Sequence, residues 1–387
     1  MNKYNTIFGQ MLGLISRSHF ERKVKEYKTE HCAKGLKSWT QFVAMLFSQI
    51  SGQSGLRSIE SSMNSQRNGW YHMGITNTER EIKRSTLSYA NTHRDSDLFK
   101  AVFEKLLLEA QSKKEPHGFR FKNPLFSLDS TIIDLCLKLF PWADFRKGKG
   151  GIKLTVKLDH QGKIPCFLVM SNGREHDTKK LKEVPYSPGD VLVFDRGYTD
   201  YEFFSELCTS KAWFVTRLKK NAVYTRIRRR EIIEGGNIIS DFEIKIPSMS
   251  KETVLRKIIA RDPDTMENIV IITNNLKWSA TTIAAIYKDR WQIELFFKAI
   301  KQNLKIKRFY GNSKNAVMTQ IWIALITYLL IYLLKAKFKS CKISFTNFIS
   351  MLKTILFQRI SLYDLLCGTS PPYKPKKELP INLEFVW

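Results

Sequence analysis

Two apolar runs, each bound to an aspartate, most constrain what this chain can fold into. Leu125–Ile133 is rich in apolar and β-branched residues and reads as a buried strand with Asp129 inside it. Val191–Phe194 is apolar throughout, the pattern of a fully buried strand, and stops at Asp195-Arg196-Gly197. Between them a Gly-rich turn (Gly148, Gly150, Gly151) leads into Ile152–Leu158. There Ile152, Leu154, Val156 and Leu158 alternate with Lys153, Thr155 and Lys157, which predicts a half-buried strand. Asp159–Gly162 then turns the chain into a hairpin with Ile164–Met170. A short helix capped by Asp177-Thr178 and running through Lys182 is expected, then a helix at Tyr201–Thr209 and a strand at Trp213–Arg217.

Three strands in a meander, helix, strand, helix, strand is the order of a ribonuclease-H-like α/β core. Around it the pattern is helical. Residues 1–75 carry apolar clusters at Phe8–Leu14 and Trp39–Ile50, with breaks at Ser51–Gly55 and Asn68-Gly69. A second block holds Ser85–Arg94, which starts at a Ser/Thr cap, and the amphipathic Phe99–Leu108. Short strands at Val223–Ile227, Phe242–Ile246, Val254–Ala260 and Ile269–Thr273 break the α/β alternation and read as an insertion. One long helix is expected from about Ala280 to Leu304, then helices to about Cys367 and a Pro/Lys tail from Pro371. The expected division is a helical N-terminal domain (1–75), a helical connector (76–120) and an α/β core (121–221 with 276–340). A β-rich insertion (222–275) interrupts that core, and a helical C-terminal segment with a basic tail (341–387) closes the chain.

Charge narrows the partner. In 387 residues, 63 Lys+Arg against 36 Asp+Glu leave a net charge of +27, a self-repulsion that folding does not require. A polyanionic partner explains it, nucleic acid before an anionic membrane surface. Basic clusters at Arg146–Lys153, Arg217–Arg230 and Lys298–Arg308 suit phosphate contacts. Ile321–Leu334 is apolar but short for a membrane span and closely flanked by Gln320 and Lys335, so a buried core helix is expected and no membrane. Ile7–Ile15 is broken by Gln10 and followed by charged residues, unlike a signal peptide. The six cysteines are scattered, with no metal or redox spacing, and suit buried thiols in a reducing, cytoplasmic compartment.

The carboxylates carry the chemistry. Asp129 in a buried strand costs several kcal/mol, of order, unless paired or bound to a metal. Asp195 closes a strand at its carboxyl end, where such sheets form their ligand crevice. In a ribonuclease-H-like sheet the two strands are neighbours, so the acids converge, and a hard dication turns their repulsion into binding. On the long helix Tyr287, Arg290, Glu294 and Lys301 follow at offsets of three, four and seven, which stacks them on one face, with Lys298 near the same stripe. The apolar flank (Trp291, Ile293, Leu295, Phe296, Phe297, Ile300) implies that the helix packs on the sheet. An all-oxygen donor set of Asp129, Asp195 and Glu294 points to Mg²⁺ or Mn²⁺. Two such ions about 4 Å apart could activate a nucleophile and stabilise a leaving 3′-oxygen.

The string Tyr287-x-x-Arg290-x-x-x-Glu294-x-x-x-x-x-x-Lys301 resembles the Tyr-Arg-Glu-Lys signature of bacterial insertion-sequence DDE transposases of the insertion-sequence-four family. Leu128-Asp129-Ser130 and Phe194-Asp195-Arg196-Gly197-Tyr198 resemble the settings of that family's two aspartates, and the likeness covers roughly residues 120–335. The resemblance implies Mg²⁺-dependent cutting of double-stranded DNA at transposon terminal inverted repeats and transfer of the freed 3′-hydroxyl into target DNA. It implies that Asp129, Asp195 and Glu294 hold two Mg²⁺, with Mn²⁺ as substitute, and that Tyr287, Arg290, Lys298 and Lys301 meet DNA. Trp291 is the candidate for contact with a flipped base, with a place in the core as its alternative. A homodimer on paired ends and a place at the bacterial nucleoid are implied too. The competing readings are a metal-dependent nuclease without strand transfer and an inactive DNA-binding relative.

Arg146-Lys147-Gly148-Lys149-Gly150-Gly151 lacks the Gly-Lys-Ser/Thr ending of a phosphate loop and reads as a basic hairpin turn. Asp134, Asp159, Glu175 and Asp177 are decoy acids, Asp159 fitting a turn and Asp177 a helix cap, and His176 reads as structural.

Overall fold

The β-branched run beginning at Leu125 forms β1 (Leu125–Leu135), followed by β2 (Asp144–Arg146), β3 (Lys149–Asp159) and β4 (Ile164–Asn172). Then come β5 (Val191–Phe194), β6 (Trp213–Arg217), β7 (Thr225–Arg229), β8 (Ile238–Lys245), β9 (Leu255–Arg261) and β10 (Asn268–Thr273). This computed structural model describes residues 5–367 except 32, 34, 77–78, 114–115, 147–148, 174–181, 233–235, 263–264, 305–307 and 338–342. Outside the described residues lie Cys32, Cys341, Glu175, His176, nearly all of the helix expected from Asp177, and the tail from Pro371.

All ten strands join one sheet in the order β2-β3-β1-β5-β6-β10-β9-β8-β7, with β4 on β3. Among the described residues, the β1–β5 and β5–β6 pairs are parallel and the others antiparallel. The β-rich stretch 222–275 therefore does not stand apart, because β10 pairs antiparallel with β6 and carries β9, β8 and β7 outward. Gly150 has a physical reason. A Cβ there would lie 3.0 Å from the Leu135 carbonyl oxygen and 3.1 Å from that of Ala143, so a side chain would push β3 a few tenths of an ångström from the end of β1 and the turn before β2.

β3 departs from its alternating pattern. Lys153, Thr155 and Lys157 are 6%, 3% and 5% exposed, so both faces are buried where one was expected to meet water. Lys157 is accommodated because its ammonium donates to the Pro185 carbonyl at 2.7 Å and pairs with Asp190 at 3.3 Å. It also lies 3.8 Å above the Phe126 ring. Period two describes side-chain direction but says nothing of what covers the second face.

The helices are α1 (Ile7–Leu12), α2 (Arg17–Glu26), α3 (Ser38–Ser51), α4 (Leu56–Ser65), α5 (Arg84–His93) and α6 (Asp97–Gln111). After the meander come α7 (Tyr201–Thr209), α8 (Ala280–Asp289), α9 (Trp291–Lys298), α10 (Lys314–Lys337), α11 (Phe345–Ile355) and α12 (Leu362–Cys367). α5 begins after Lys83 with no side-chain cap, not at the expected Ser/Thr cap. α10 is long and apolar enough to cross a membrane, but 89% of its most apolar window is buried inside the protein. It is the core helix expected at Ile321–Leu334, enclosed by α3, α5 and α6. Each fully buried Leu or Ile on it contributes about 1.5–3 kcal/mol.

One apolar cluster joins α1–α6, α9–α12 and the Leu154/Val156/Leu158 side of β3. Segments far apart in sequence are tied together there, since the Ile7 and Phe8 amides donate to the Gln358 and Leu356 carbonyls at 3.0 and 2.8 Å. Of the described cysteines, Cys136 is exposed and Cys166 and Cys208 are half-buried, so these three do not have the fully buried positions expected of them.

Candidate active site

Strand alternation sorts β1 and β5 onto two sides. Phe126, Leu128, Leu192 and Phe194 pack with Phe203 and Phe204 of α7. Leu125, Val191 and Val193 pack with Ile283, Ile286 and Tyr287 of α8. Ser127, Asp129 and Asp195 continue this second set, on the α8 side. Leu128 is the register partner of Phe194 in the parallel β1–β5 pair, so Asp129 and Asp195 follow at neighbouring positions on adjacent strands. Adjacent strands are about 4.8 Å apart, so the two acids stand on neighbouring strands, one residue past the last paired position.

The helix brings the remaining groups. The expected single helix is two, because the chain tightens at Arg290, and a π turn (Ala299–Asn303) follows α9. The break leaves the upper stripe aligned. Tyr287 Oη donates to Asp195 Oδ1 at 3.2 Å, Arg290 Nη2 to Glu294 Oε1 at 2.6 Å, and Arg290 Nη1 to Asp129 Oδ2 at 3.4 Å. Lys301 lies in the π turn, half-buried, and Lys298 is exposed at the end of α9. The wider turn removes the simple seven-residue offset from Glu294 to Lys301.

The apolar flank of this helix divides. Ile293, Phe296, Phe297 and Ile300 are buried, whereas Trp291 and Leu295 are 56% and 44% exposed. Trp291 is therefore not the core residue that was one of its two readings. It stands in solvent next to Arg290.

Electrostatics mark Asp129. Burial pushes its carboxyl up to about 6, against the opposing pull of the Ser130 amide at 2.8 Å and of Arg290. The Glu294 charge adds to the rise. Burial likewise pushes Tyr287 up to about 12, so at neutral pH it stays a phenol and a donor. The three carboxylates offer only hard oxygen donors, the kind that divalent cations take. As the side chains stand, Arg290 lies between Asp129 and Glu294. Among the described residues no group of three His, Cys, Asp or Glu is close enough to share one ion.

The motif after β5 contributes a residue that sequence reasoning missed. Tyr198, in the turn Arg196–Tyr198, is buried and donates to Ser130 Oγ at 2.8 Å and to Asp129 Oδ1 at 3.3 Å. Its position three residues after Asp195 was the available signal. Also missed was the buried His160, between Ser127 and Asp289. Asp159 beside it accepts from the Gln161 amide at 2.8 Å, the turn role expected of it.

Asp129 lies within β1, one residue past its parallel pairing with β5, Asp195 follows the end of β5, and Arg290 joins Asp129 to the helix-borne Glu294. The family model for the transposase DDE domain matches residues 120–330, and the chain belongs to that family of DNA transposases, enzymes that cleave DNA and transfer the cut strand. The family is generally dependent on divalent metal ions. A second model, a domain of unknown function (DUF4372), matches residues 3–76. The chain is 31% identical over 303 residues to a Sinorhizobium fredii protein named for transposase function (y4zB), covering 76% of this chain and 82% of that one. It is 28% identical over 272 residues to a Geobacillus stearothermophilus protein named as transposase of insertion sequence element IS5377, covering 68% and 71%. A solved structure of the piggyBac transposase synaptic complex with hairpin DNA aligns over 97% of this chain and 88% of its own, at 11% identity and a TM-score of 0.47. That likeness is too loose to inform the site.

Proposed function

We propose that this chain is an insertion-sequence transposase of the insertion-sequence-four family whose active site is Asp129, Asp195 and Glu294. The observation that carries the reading is the parallel β1–β5 register, which sets the two aspartates side by side, with Arg290 linking Asp129 to Glu294. The α/β unit is a ribonuclease-H-like catalytic core. Residues 1–75 form a helical DNA-binding domain, 76–120 a connector, 222–275 an insertion and 341–387 the C-terminal segment.

The three carboxylates would hold two Mg²⁺, for which Mn²⁺ can substitute, and the bound cations supply Lewis-acid stabilisation of charge on the phosphodiester. Arg290, once its carboxylates are occupied by cations, has a bidentate guanidinium free for a phosphate. Tyr287 holds Asp195 in place through its phenol. Lys298 and Lys301 extend positive charge along the helix for the DNA backbone, and Trp291 offers an exposed ring for base stacking. The DNA comprises the element's terminal inverted repeats and a target. The active form is a homodimer on paired ends, working at the bacterial nucleoid.

The test is cleavage of duplex DNA carrying the element's own ends, with products resolved by strand. Cleavage is expected with Mg²⁺ or Mn²⁺, none after chelation, and none by Glu294→Gln although that variant still binds the ends. Full cleavage by Glu294→Gln would remove the proposed site.

A further inference from the structure

The imidazole of His160 is buried, its side chain 1% exposed, yet it joins two elements that both lead into the site. Its backbone amide donates to the Leu125 carbonyl of β1 at 3.0 Å. Its ring spans Ser127 Oγ at 2.7 Å from Nε2 and Asp289 Oδ2 at 2.6 Å from Nδ1. A carboxylate only accepts, so Nδ1 carries the hydrogen given to Asp289, and in the neutral ring Ser127 Oγ–H donates to Nε2. The other oxygen of Asp289 accepts from Gln292 Nε2 at 3.1 Å. Burial works against the Asp289 charge, but the hydrogen bonds from His160 and Gln292, with the positive charge of Lys163 nearby, hold the carboxyl below its ordinary range.

Position gives the chain of bonds its meaning. Ser127 is two residues before Asp129 and on the same side of β1, and Asp289 immediately precedes Arg290. Arg290 in turn bonds Asp129 and Glu294. The contacts close a ring that runs from Asp129 along β1 to Ser127, through His160 to Asp289, and through Arg290 back to Asp129. Its weakest link is the 3.4 Å contact between Arg290 and Asp129. Without His160 that long contact and the Tyr287–Asp195 bond would remain as polar ties between these strands and the helix joint, beside the apolar packing of Leu125 on α8.

We propose that His160 is a positioning residue for strand cleavage, a brace that fixes β1 against the α8–α9 joint and so sets Asp129 relative to Arg290 and Glu294. The inference rests on the assignment of those three residues to the active site. It assigns His160 no contact with DNA and no proton transfer to the reacting atoms. The ordinary role of such a histidine is core stability. The two roles differ in what a substitution changes. A brace lowers kcat and leaves end binding intact, and its two partners act as one unit.

The test uses the full chain and duplex DNA carrying the element's end and flank, with melting temperature and end binding followed alongside cleavage. His160→Ala and Asp289→Ala are each expected to lower kcat about ten- to a hundred-fold, the scale of displaced supporting groups, with KM for end DNA unchanged. The double variant should be no slower than the worse single one. Asp289→Asn keeps an oxygen that accepts from Nδ1–H and should recover most of the rate. Wild-type kcat in both single variants would overturn the brace. So would losses that multiply in the double variant, or losses that only follow the unfolded fraction. If His160→Ala does not fold, Ser127→Ala and the contrast of Asp289→Asn with Asp289→Ala decide: a lowered kcat in Ser127→Ala with rescue by asparagine supports it, and equal rates throughout overturn it. Inactive Glu294→Gln beside unaffected His160 variants would refute the brace alone, whereas active Glu294→Gln would refute the site beneath it.

Discussion

The strand half and the helix half of the site are held in different ways. Asp129 and Asp195 follow Leu128 and Phe194, which are register partners in a hydrogen-bonded parallel pair, so their spacing belongs to the backbone. Glu294 stands four residues beyond a tightened joint and just before a π turn, and its links to the strands are side-chain bonds through Arg290. Moving one strand past the other would break the ladder and turn side chains to the wrong face. Moving the helix by a few tenths of an ångström changes only packing and a few hydrogen bonds. The strands therefore fix their part of the proposed site through the backbone, whereas the helix holds its part through packing and side-chain bonds, which yield more readily than a ladder.

The largest effects should test both halves at once. Asp195→Asn and Glu294→Gln are each expected to lower end cleavage by roughly a thousand-fold or more, as for groups that act on the reacting atoms, with end binding retained in a gel shift. Length changes sharpen the contrast. Glu294→Asp should keep measurable cleavage because the helix can close the gap, while Asp129→Glu should keep none because the strand cannot recede. The opposite order would overturn the comparison.

Next in size is Arg290→Ala, expected to slow strand transfer about a hundred-fold through loss of the guanidinium, with Arg290→Lys restoring only part of it. Strand-transfer rates on pre-cut ends measure this, and an unchanged rate would take Arg290 out of the chemistry. Tyr287→Phe removes one hydrogen bond to Asp195 and should cost about five- to ten-fold in single-turnover cleavage.

The smallest effect concerns stability. Asp129 has its carboxyl pushed from an ordinary 3.8 up to about 6. Between those values the folded protein retains a proton that the unfolded chain has released, so stability falls as pH rises through that window. The penalty is absent below the ordinary value and complete above the raised one. Asp129→Asn should therefore raise the metal-free melting temperature at pH 7, by on the order of 1–3 kcal/mol of stability, and the gain should vanish near pH 4. A thermal-shift series across pH measures it, and an equal gain at every pH would mean that charge is not its cause.

The site was largely legible because its signals are local or depend on strand order. The offsets of Tyr287, Arg290 and Glu294 put them on one helix face whatever surrounds them, and an apolar run ending in Asp195 marks a strand end. Lys301 was less legible, because the π turn that displaces it depends on how Ile300 and Leu304 pack into the helical body. Leu295, and Trp291 in one of its two readings, were placed on the packed flank of the helix, but the buried residues of α9 lie on its other side. Tyr198 had only its place three residues after Asp195 as a signal, and His160 carries no spacing signal toward its partners. Ser127 and Asp289 lie 33 and 129 residues from His160 in the chain.

The residues alone determined the strand and helix periods, the order of the main elements and the acids proposed for the site, because backbone geometry converts spacing into direction. Tertiary structure decided what lies across from each side chain. It buried Lys157 against Asp190, exposed Trp291, and joined the β-rich stretch to the main sheet through β10 and β6. It also closed the ring through His160. Such contacts arise when distant segments meet, and their energies depend on which surfaces remain open to water.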